Sequence, residues 1–481
     1  MKAQIGANRL ASYLLFATAA GAPFPFGSED ATDVLFWCLL LGIAAISTPV
    51  RELGKPRQAL LLGIGFIVIC YGFVLHEQLS DSPWIAAPDP LWSQASRLLG
   101  IELAPAVAAA KYEPFYDLGP PLAAILALAV GLVVGSDRSR ARQLLLVVGW
   151  SGVAYALYGI INTVVEPGMI LWRARTPTSY VTGTFVNENT AATYFGSCSA
   201  VWLLILAERV RERLPKGMLN WNHLSQHSLF TPRRNTALAF LAFFICFVAL
   251  LMTGSRAGVT VSIIMLAAAT TAYFRRDLSK RRGLALLVVS AVGILLLFEQ
   301  FLGDGVNLHF DTKGISDEGR FAAYRSTLQM IADHPWFGTG LGTFVWSFPR
   351  YRGGEDLTGV WDLAHCTPLE LASDLGIPLA TVIALGWILA LLLLARAATR
   401  RRRDGITIPL AGLSVGLIGI LHSMVDFSLQ IPGYAIVAFC VVGAGLGQAF
   451  EPCSRNEGKR QPLTSLIKPG ISWVKNSSLD C

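Results

Sequence analysis

The chain has 481 residues, 53% of them hydrophobic and only 15% charged, and its 39 Lys and Arg stand against 32 Asp and Glu for a net charge of +7. Soluble domains carry roughly 25% charged residues, so this composition, with a mean hydropathy of +0.51, excludes an ordinary water-soluble protein. The positive balance would fit a nucleic-acid partner only if the basic residues were pooled on one surface, and their spacing along the chain excludes that as well.

A bilayer core of roughly 30 Å takes about 20 apolar residues per helix. Windows of that size centre near residues 18, 41, 67, 127, 153, 199, 244, 265, 291, 387, 415 and 441, which predicts an all-α polytopic membrane protein of about twelve transmembrane helices. The first window, Leu10 to Phe26, follows Lys2 and Arg9 and is read as a retained anchor rather than a cleaved leader. Basic loops stay on the cytoplasmic side. Placing both termini there puts 29 basic against 9 acidic residues inside, a balance of +20, and 10 against 23 outside, a balance of −13. The expectation is one integral membrane domain over residues 1–481, with a polar cytoplasmic tail at 451–481. Of the eight cysteines only Cys366 falls clearly in an outer loop, which is too few for a disulfide framework.

Three outer loops are long: Glu77 to Leu118, Glu166 to Thr190, and the largest, residues 299–376. Loops of the last size are usually functional or disordered, and the tryptophans at 336, 346 and 361 argue for order. Within it Phe321, Tyr324, Leu328 and Ile331 recur at helical spacing, so Phe321 to Trp336 reads as an amphipathic helix on the membrane surface or packed down within the loop. Gly338-Thr339-Gly340-Leu341-Gly342 reads as a turn; it lacks the strand and helix that a dinucleotide fingerprint requires. No GxxxxGK[ST] occurs anywhere. A transporter is the alternative of another class, but such proteins show comparable halves and interrupted or charged mid-membrane segments. This chain has almost no ionisable residue at a span centre, and its large outer loop has no counterpart in the first half.

Polar chemistry collects on the outer face. Gly183-Thr184-Phe185-Val186-Asn187-Glu188-Asn189-Thr190 enters the sixth span, Thr253-Gly254-Ser255-Arg256-Ala257-Gly258 turns between the seventh and eighth, and Ala364-His365-Cys366-Thr367-Pro368-Leu369-Glu370 leads toward the tenth. With Gly319-Arg320 at the head of the surface helix and His334-Pro335-Trp336-Phe337-Gly338 after it, this order resembles the O-antigen ligase and polymerase superfamily over roughly residues 180–380. The resemblance implies a metal-independent, cofactor-free membrane glycosyltransferase of the bacterial inner membrane. Its donor is a glycan on undecaprenyl diphosphate, and its acceptor is the lipid A core or, in a polymerase, a growing polysaccharide. It places the family's functional residues on Arg256, Arg320 and His365. The chain departs from the family where Asn187-Glu188-Asn189 replaces the frequent Asn-Pro-Asn, and where Cys366 follows His365.

The residue chemistry agrees. A diphosphate leaving group gathers negative charge, and Arg presents a planar fork of donors suited to phosphate oxygens. For Arg256 the other reading is a helix-end cap or interfacial anchor, and for Arg320 a surface salt bridge. An unperturbed imidazole titrates near about 6.5, so His365 can take a proton from an attacking sugar hydroxyl. Asn187, Asn189, Arg173 and Arg175 are candidates for substrate binding; Arg350 and Arg352 read first as solvated or headgroup contacts. His422 and Asp426 lie four apart and are expected on one helix face, either orienting His365, binding sugar, or forming a structural pair. Glu29-Asp30 is the acidic pair that a metal-dependent polyprenyl-phosphate glycosyltransferase would use, although its loop is short.

Overall fold

Glycine decides which helices meet at the centre of the bundle. Helix α6 (Gly119–Gly135) and helix α15 (Pro432–Ala449) each carry two glycines four residues apart. A Cβ added at Gly131 would lie 2.7 Å from the carbonyl oxygen of Cys440, and one at Gly443 would lie 2.4 Å from that of Leu128. The two backbones therefore touch directly, the close approach that small residues give to helices packing in an apolar solvent. Around this seam the computed structural model describes residues 2–48, 50–212, 234–276, 318–353, 360–400 and 405–450.

The bundle is built from α1 (Lys2–Gly21), α2 (Ala31–Ile46), α3 (Lys55–Leu79), α6, α7 (Arg138–Val165), α8 (Glu188–Arg211), α9 (Arg234–Leu251), α10 (Arg256–Phe274), α13 (Thr367–Arg400), α14 (Thr407–Ser423) and α15. Shorter helices α4 (Pro90–Leu99), α5 (Glu113–Tyr116), α11 (Glu318–Asp333) and α12 (Phe344–Ser347) lie in the connections. A two-residue antiparallel ladder pairing Met169 with Ala174 and Ile170 with Arg173 is the only sheet among the described residues.

Eight of the described helices are long and apolar enough to cross a membrane, and α2 and α14 are apolar but shorter. They account for ten of the twelve expected positions. Near residue 18 the chain is helical, but α1 stops at Gly21, before Pro23 and Pro25, and is not among the eight. The position near 291 lies outside the described residues, as does the segment 451–481. Twelve is therefore the expectation and eight the number the helices support. Among the eight, α8 and α15 are central, with 89% of the apolar window buried, whereas α3 and α13 bury only 17% and 11% and form the rim.

Local sequence explains the helix starts. Asp137, Asn187 and Ser255 each cap the helix that follows, accepting from Ser139 and Arg140, from Asn189 and Thr190, and from Gly258 respectively, as expected for short polar side chains at this position. At the end of the bundle where α7 starts and α8 finishes, Arg142 forms a forked pair with Glu208 at 2.8 and 2.9 Å, and Arg57 donates to the carbonyl of Gly447. The polar motifs gather at the opposite end.

Two expectations change. Helix α11 forms, but it spans Glu318–Asp333 and its packed face is Ala323, Thr327, Met330 and Ile331, while Phe321 and Leu328 stay exposed. The predicted apolar stripe is thus split, because Ala323 and Met330 pack with Phe344, Phe348 and Ala364 of the same loop. Helix α14 ends at Ser423, so Asp426 is not on it; the amides of Met424 and Val425 close back on Leu421 and His422, and Pro432 opens α15 a few residues later.

Helix α13 is broken at Gly376, whose φ of 81° and ψ of 158° leave the helical region. A Cβ there would meet the carbonyl oxygen of Trp336 at 2.2 Å, and one at Gly338 (φ 66°) would meet Asp374 at 2.3 Å. Both sites need glycine for backbone conformation and for space. The Gly338–Gly342 turn lies against the break, with Gly340 donating to Asp374 and Ile377 donating to Pro335.

Candidate active site

The site is assembled on three consecutive residues, Val425, Asp426 and Phe427, in the turn after α14. Arg320, in the first turn of α11, donates from a guanidinium nitrogen to the carbonyl of Val425 at 3.1 Å. Asp426, only 1% exposed, places Oδ1 3.4 Å from Nδ1 of His365. Phe427 sets its ring 5.0 Å from the imidazole, while Trp361 stands nearly perpendicular to it at 5.6 Å. The imidazole is thus wedged between two aromatic rings and backed by a carboxylate. It opens into a pocket of about 350 Å³ lined by Val360, Trp361, Asp362, Leu363, His365 and Phe427.

His365 has a φ of 52°, a left-handed conformation that costs a non-glycine residue about 1–3 kcal/mol and persists only where the surroundings enforce it. Three bonds do so. Tyr324 donates its hydroxyl to the carbonyl of His365 at 3.0 Å, Glu370 accepts the amide of Ala364 at 2.7 Å, and Thr367 donates to the carbonyl of Asp426 at 3.2 Å. Arg320 and Tyr324 lie four apart on α11, so one helix face contributes both contacts.

Neither carboxylate oxygen of Asp426 has a hydrogen-bond partner among the described residues, and neither has Nδ1 of His365. The pair is at ion-pair distance without hydrogen-bond alignment. A buried carboxylate left in this state is costly, and a positive charge on the imidazole would relieve that cost. His422 serves a different purpose: its Nδ1 meets Oγ of Ser428 at 3.0 Å, and Ser428 accepts from Thr193 at 3.1 Å. This buried chain ties the end of α14 to the start of α8.

The second arginine motif reaches the same end through close packing. Arg256 is the first residue of α10, behind the Ser255 cap. Two residues on, a Cβ at Gly258 would lie 2.6 Å from that of Ala192 and 3.5 Å from Nε2 of His422. The motif beginning at Gly183, the Ser255-Arg256 turn and the His365 segment, spread over residues 183–365 of the sequence, therefore converge on α8, α10 and the turn after α14.

Residues 241–384 match the family model described as O-antigen ligase, a stretch that contains Arg256, Arg320 and His365. This match supports a relationship of that stretch to the O-antigen ligase and polymerase superfamily. Comparison with curated proteins finds no match.

The remaining candidates are placed differently. Asn187 caps α8 with its side-chain oxygen, and Asn189 lies in the first turn of that helix. Arg175 braces the hairpin, donating to Pro167 and to Oγ1 of Thr182. Arg173 pairs with Asp30 and lies over the ring of Phe26 at 4.0 Å. Beside them Glu29, exposed but crowded, has its carboxyl pushed up to about 7 by desolvation and by the Asp30 charge, against the opposing pull of Arg173. Among the described residues no group of three His, Cys, Asp or Glu side chains converges to hold a metal ion. Burial pushes the Cys366 thiol up, away from the thiolate form. Tyr324 and Phe427 are neighbours of His365 that motif reading misses, and Glu370 lies in the His365 motif without a role read for it; the spacing from Arg320 to Tyr324 is the one signal that could have revealed the first.

Proposed function

We propose that the protein transfers a glycan from undecaprenyl diphosphate to an acceptor hydroxyl at the periplasmic face of a bacterial inner membrane, as an O-antigen ligase, with both termini cytoplasmic. The observation that carries this reading is the His365–Asp426 pair, held beside Arg320 by one three-residue turn. Asp426 faces Nδ1 of the imidazole at 3.4 Å as a charge partner, which leaves Nε2 to take the proton from the acceptor hydroxyl. The oxygen attacks the anomeric carbon from the side opposite the diphosphate. As the new carbon–oxygen bond forms, the bond to the diphosphate breaks, and the leaving group departs with the electron pair, which inverts the anomeric centre. Arg320 and Arg256 take up the growing phosphate charge as fixed donors, and the imidazolium is stabilised by the buried carboxylate behind it.

In this mechanism the arginines, rather than a divalent ion, balance the leaving group. Transfer by purified protein from a lipid-linked donor is expected to persist in EDTA; loss that Mn²⁺ or Mg²⁺ restores would overturn that part. In a deletion strain the lipopolysaccharide gel is expected to show bare core, with full-length glycan retained on undecaprenyl diphosphate. Core carrying a single repeat unit would instead identify a polymerase.

A further inference from the structure

The connection between α3 and α6 leaves five large apolar side chains in the open. Trp84, Ile85, Leu98, Leu99 and Ile101 are 72%, 73%, 87%, 64% and 56% exposed. Their level relative to the bundle is set by Glu77, in the last turn of α3, whose carboxylate accepts the amides of Trp84, Ile85 and Ala86 at 3.1, 2.9 and 2.8 Å. The Trp84 ring lies 4.1 Å from that of His76 and 6.2 Å from that of Phe73. The indole is therefore level with the final turns of a helix long and apolar enough to cross a membrane, and α3 is itself a rim helix. An exposed tryptophan at that height meets the boundary between headgroups and acyl chains, where this residue is enriched.

Helix α4 continues the same surface. Leu91, Trp92, Ala95, Leu98 and Leu99 fall on one side, and Ser93, Gln94 and Arg97 on the other. The helix is capped by Asp89 and closed by Gly100 at φ 66°, yet none of its residues is buried. Ten residues without a packed face are marginal as a helix in water. The Trp92 indole, which donates to the carbonyl of Ala108 at 3.0 Å, ties the same side of the helix to the protein while Leu98 and Leu99 stay open.

We propose that residues 84–101 lie in the plane of the bilayer surface with Trp84, Ile85, Leu98 and Leu99 among the lipid acyl chains, so that the partner of this face is the membrane itself. The contact reaches toward the site through Asp89, which is buried and sits 3.4 Å from Arg350 and 3.6 Å from Nε2 of His334. His334 directly follows α11, the helix that carries Arg320 and Tyr324. The lipid contact thereby fixes the height of α11.

The test uses the full chain in vesicles of phosphatidylethanolamine and phosphatidylglycerol, with photoreactive benzoylphenylalanine at position 98, 99, 93 or 97. All four are exposed, so folding is not at stake, and each variant is required to remain monodisperse. Phospholipid adducts are expected at 98 and 99 in several-fold excess over 93 and 97. Equal yields at all four positions, or adducts to a second copy of the chain, would overturn the proposal. Independently, brominated lipid should quench a component of tryptophan fluorescence that is missing from Trp84→Phe; quenching identical in the two proteins would also overturn it.

Discussion

Two corners at the same end of the bundle are built from the same materials and come out chemically opposite. One holds Phe26, Ser28 and Leu171 at positive φ, with Arg173 over an aromatic ring and paired to a carboxylate. The other holds His365 at positive φ between two aromatic rings, also facing a carboxylate. At the first corner both ionic partners are exposed, 51% for Arg173 and 45% for Asp30, and they neutralise each other. At the second the carboxylate is buried and lacks a hydrogen-bond partner among the described residues. Backbone strain and aromatic packing do not separate the proposed reactive corner from the self-neutralised one. A buried charge whose hydrogen-bonding capacity is unused does separate them.

The largest effect that would sharpen this contrast is expected for His365→Ala, which should lower kcat by roughly 10²- to 10⁴-fold with the purified lipid-linked donor; full retained transfer would remove His365 as the base. Asp426→Asn comes next. It keeps the shape but loses the charge behind the imidazole, and a fall in kcat of roughly ten- to a hundredfold is expected, the rate equivalent of about 1.5–3 kcal/mol. A change in KM alone would make Asp426 a sugar contact instead. Tyr324→Phe removes one neutral hydrogen bond from the strained His365 carbonyl, worth about 0.5–1.5 kcal/mol, so kcat should drop severalfold with donor KM unchanged.

For Arg173→Ala, at the self-neutralised corner, transfer should be close to wild type, and thermal stability should change by at most about 1 kcal/mol. A large rise in donor KM would break the comparison and return Arg173 to the substrate. A pH slope from Glu29 tests the same corner separately. Its carboxyl titrates near 7 in the folded chain and at the ordinary carboxylate value when unfolded. The folded state therefore holds the extra proton, and stability falls as pH rises between those values and levels off above them. Melting of Glu29→Gln, compared with wild type from pH 5 to 8, should lack that slope.

Much of the bundle can be read from the sequence, because a span announces itself by length and hydropathy; the motifs of Asn187 and Ser255 do lead into helices, although the capping role of both residues emerges only from the structure. The site is only half legible. Arg256, Arg320 and His365 stand out as polar residues in an apolar frame, but the turn that gathers Arg320 and His365 does not. Four-residue spacing put Asp426 on a helix with His422, and the helix stops three residues too early, so His422 faces Ser428 and Asp426 faces His365. The helix α11 and its packing within the loop are legible, but which residues it packs is not, for a related reason. Periodicity detects which residues are large and apolar, whereas packing inside the loop selects Ala323 and Met330, which cluster with Phe344 and Phe348.

The break at Gly376 has a mechanical meaning. The strap from Pro335 to Gly342 is hydrogen-bonded to α13 on both sides of the glycine, at Asp374 and at Ile377, so the joint is clamped at one angle like an elbow in a splint. A rim helix changes its tilt as bilayer thickness changes. Such a tilt of the Ile377–Arg400 limb would move forearm and splint together, carrying the Thr367 end of the helix and the strap as one rigid piece.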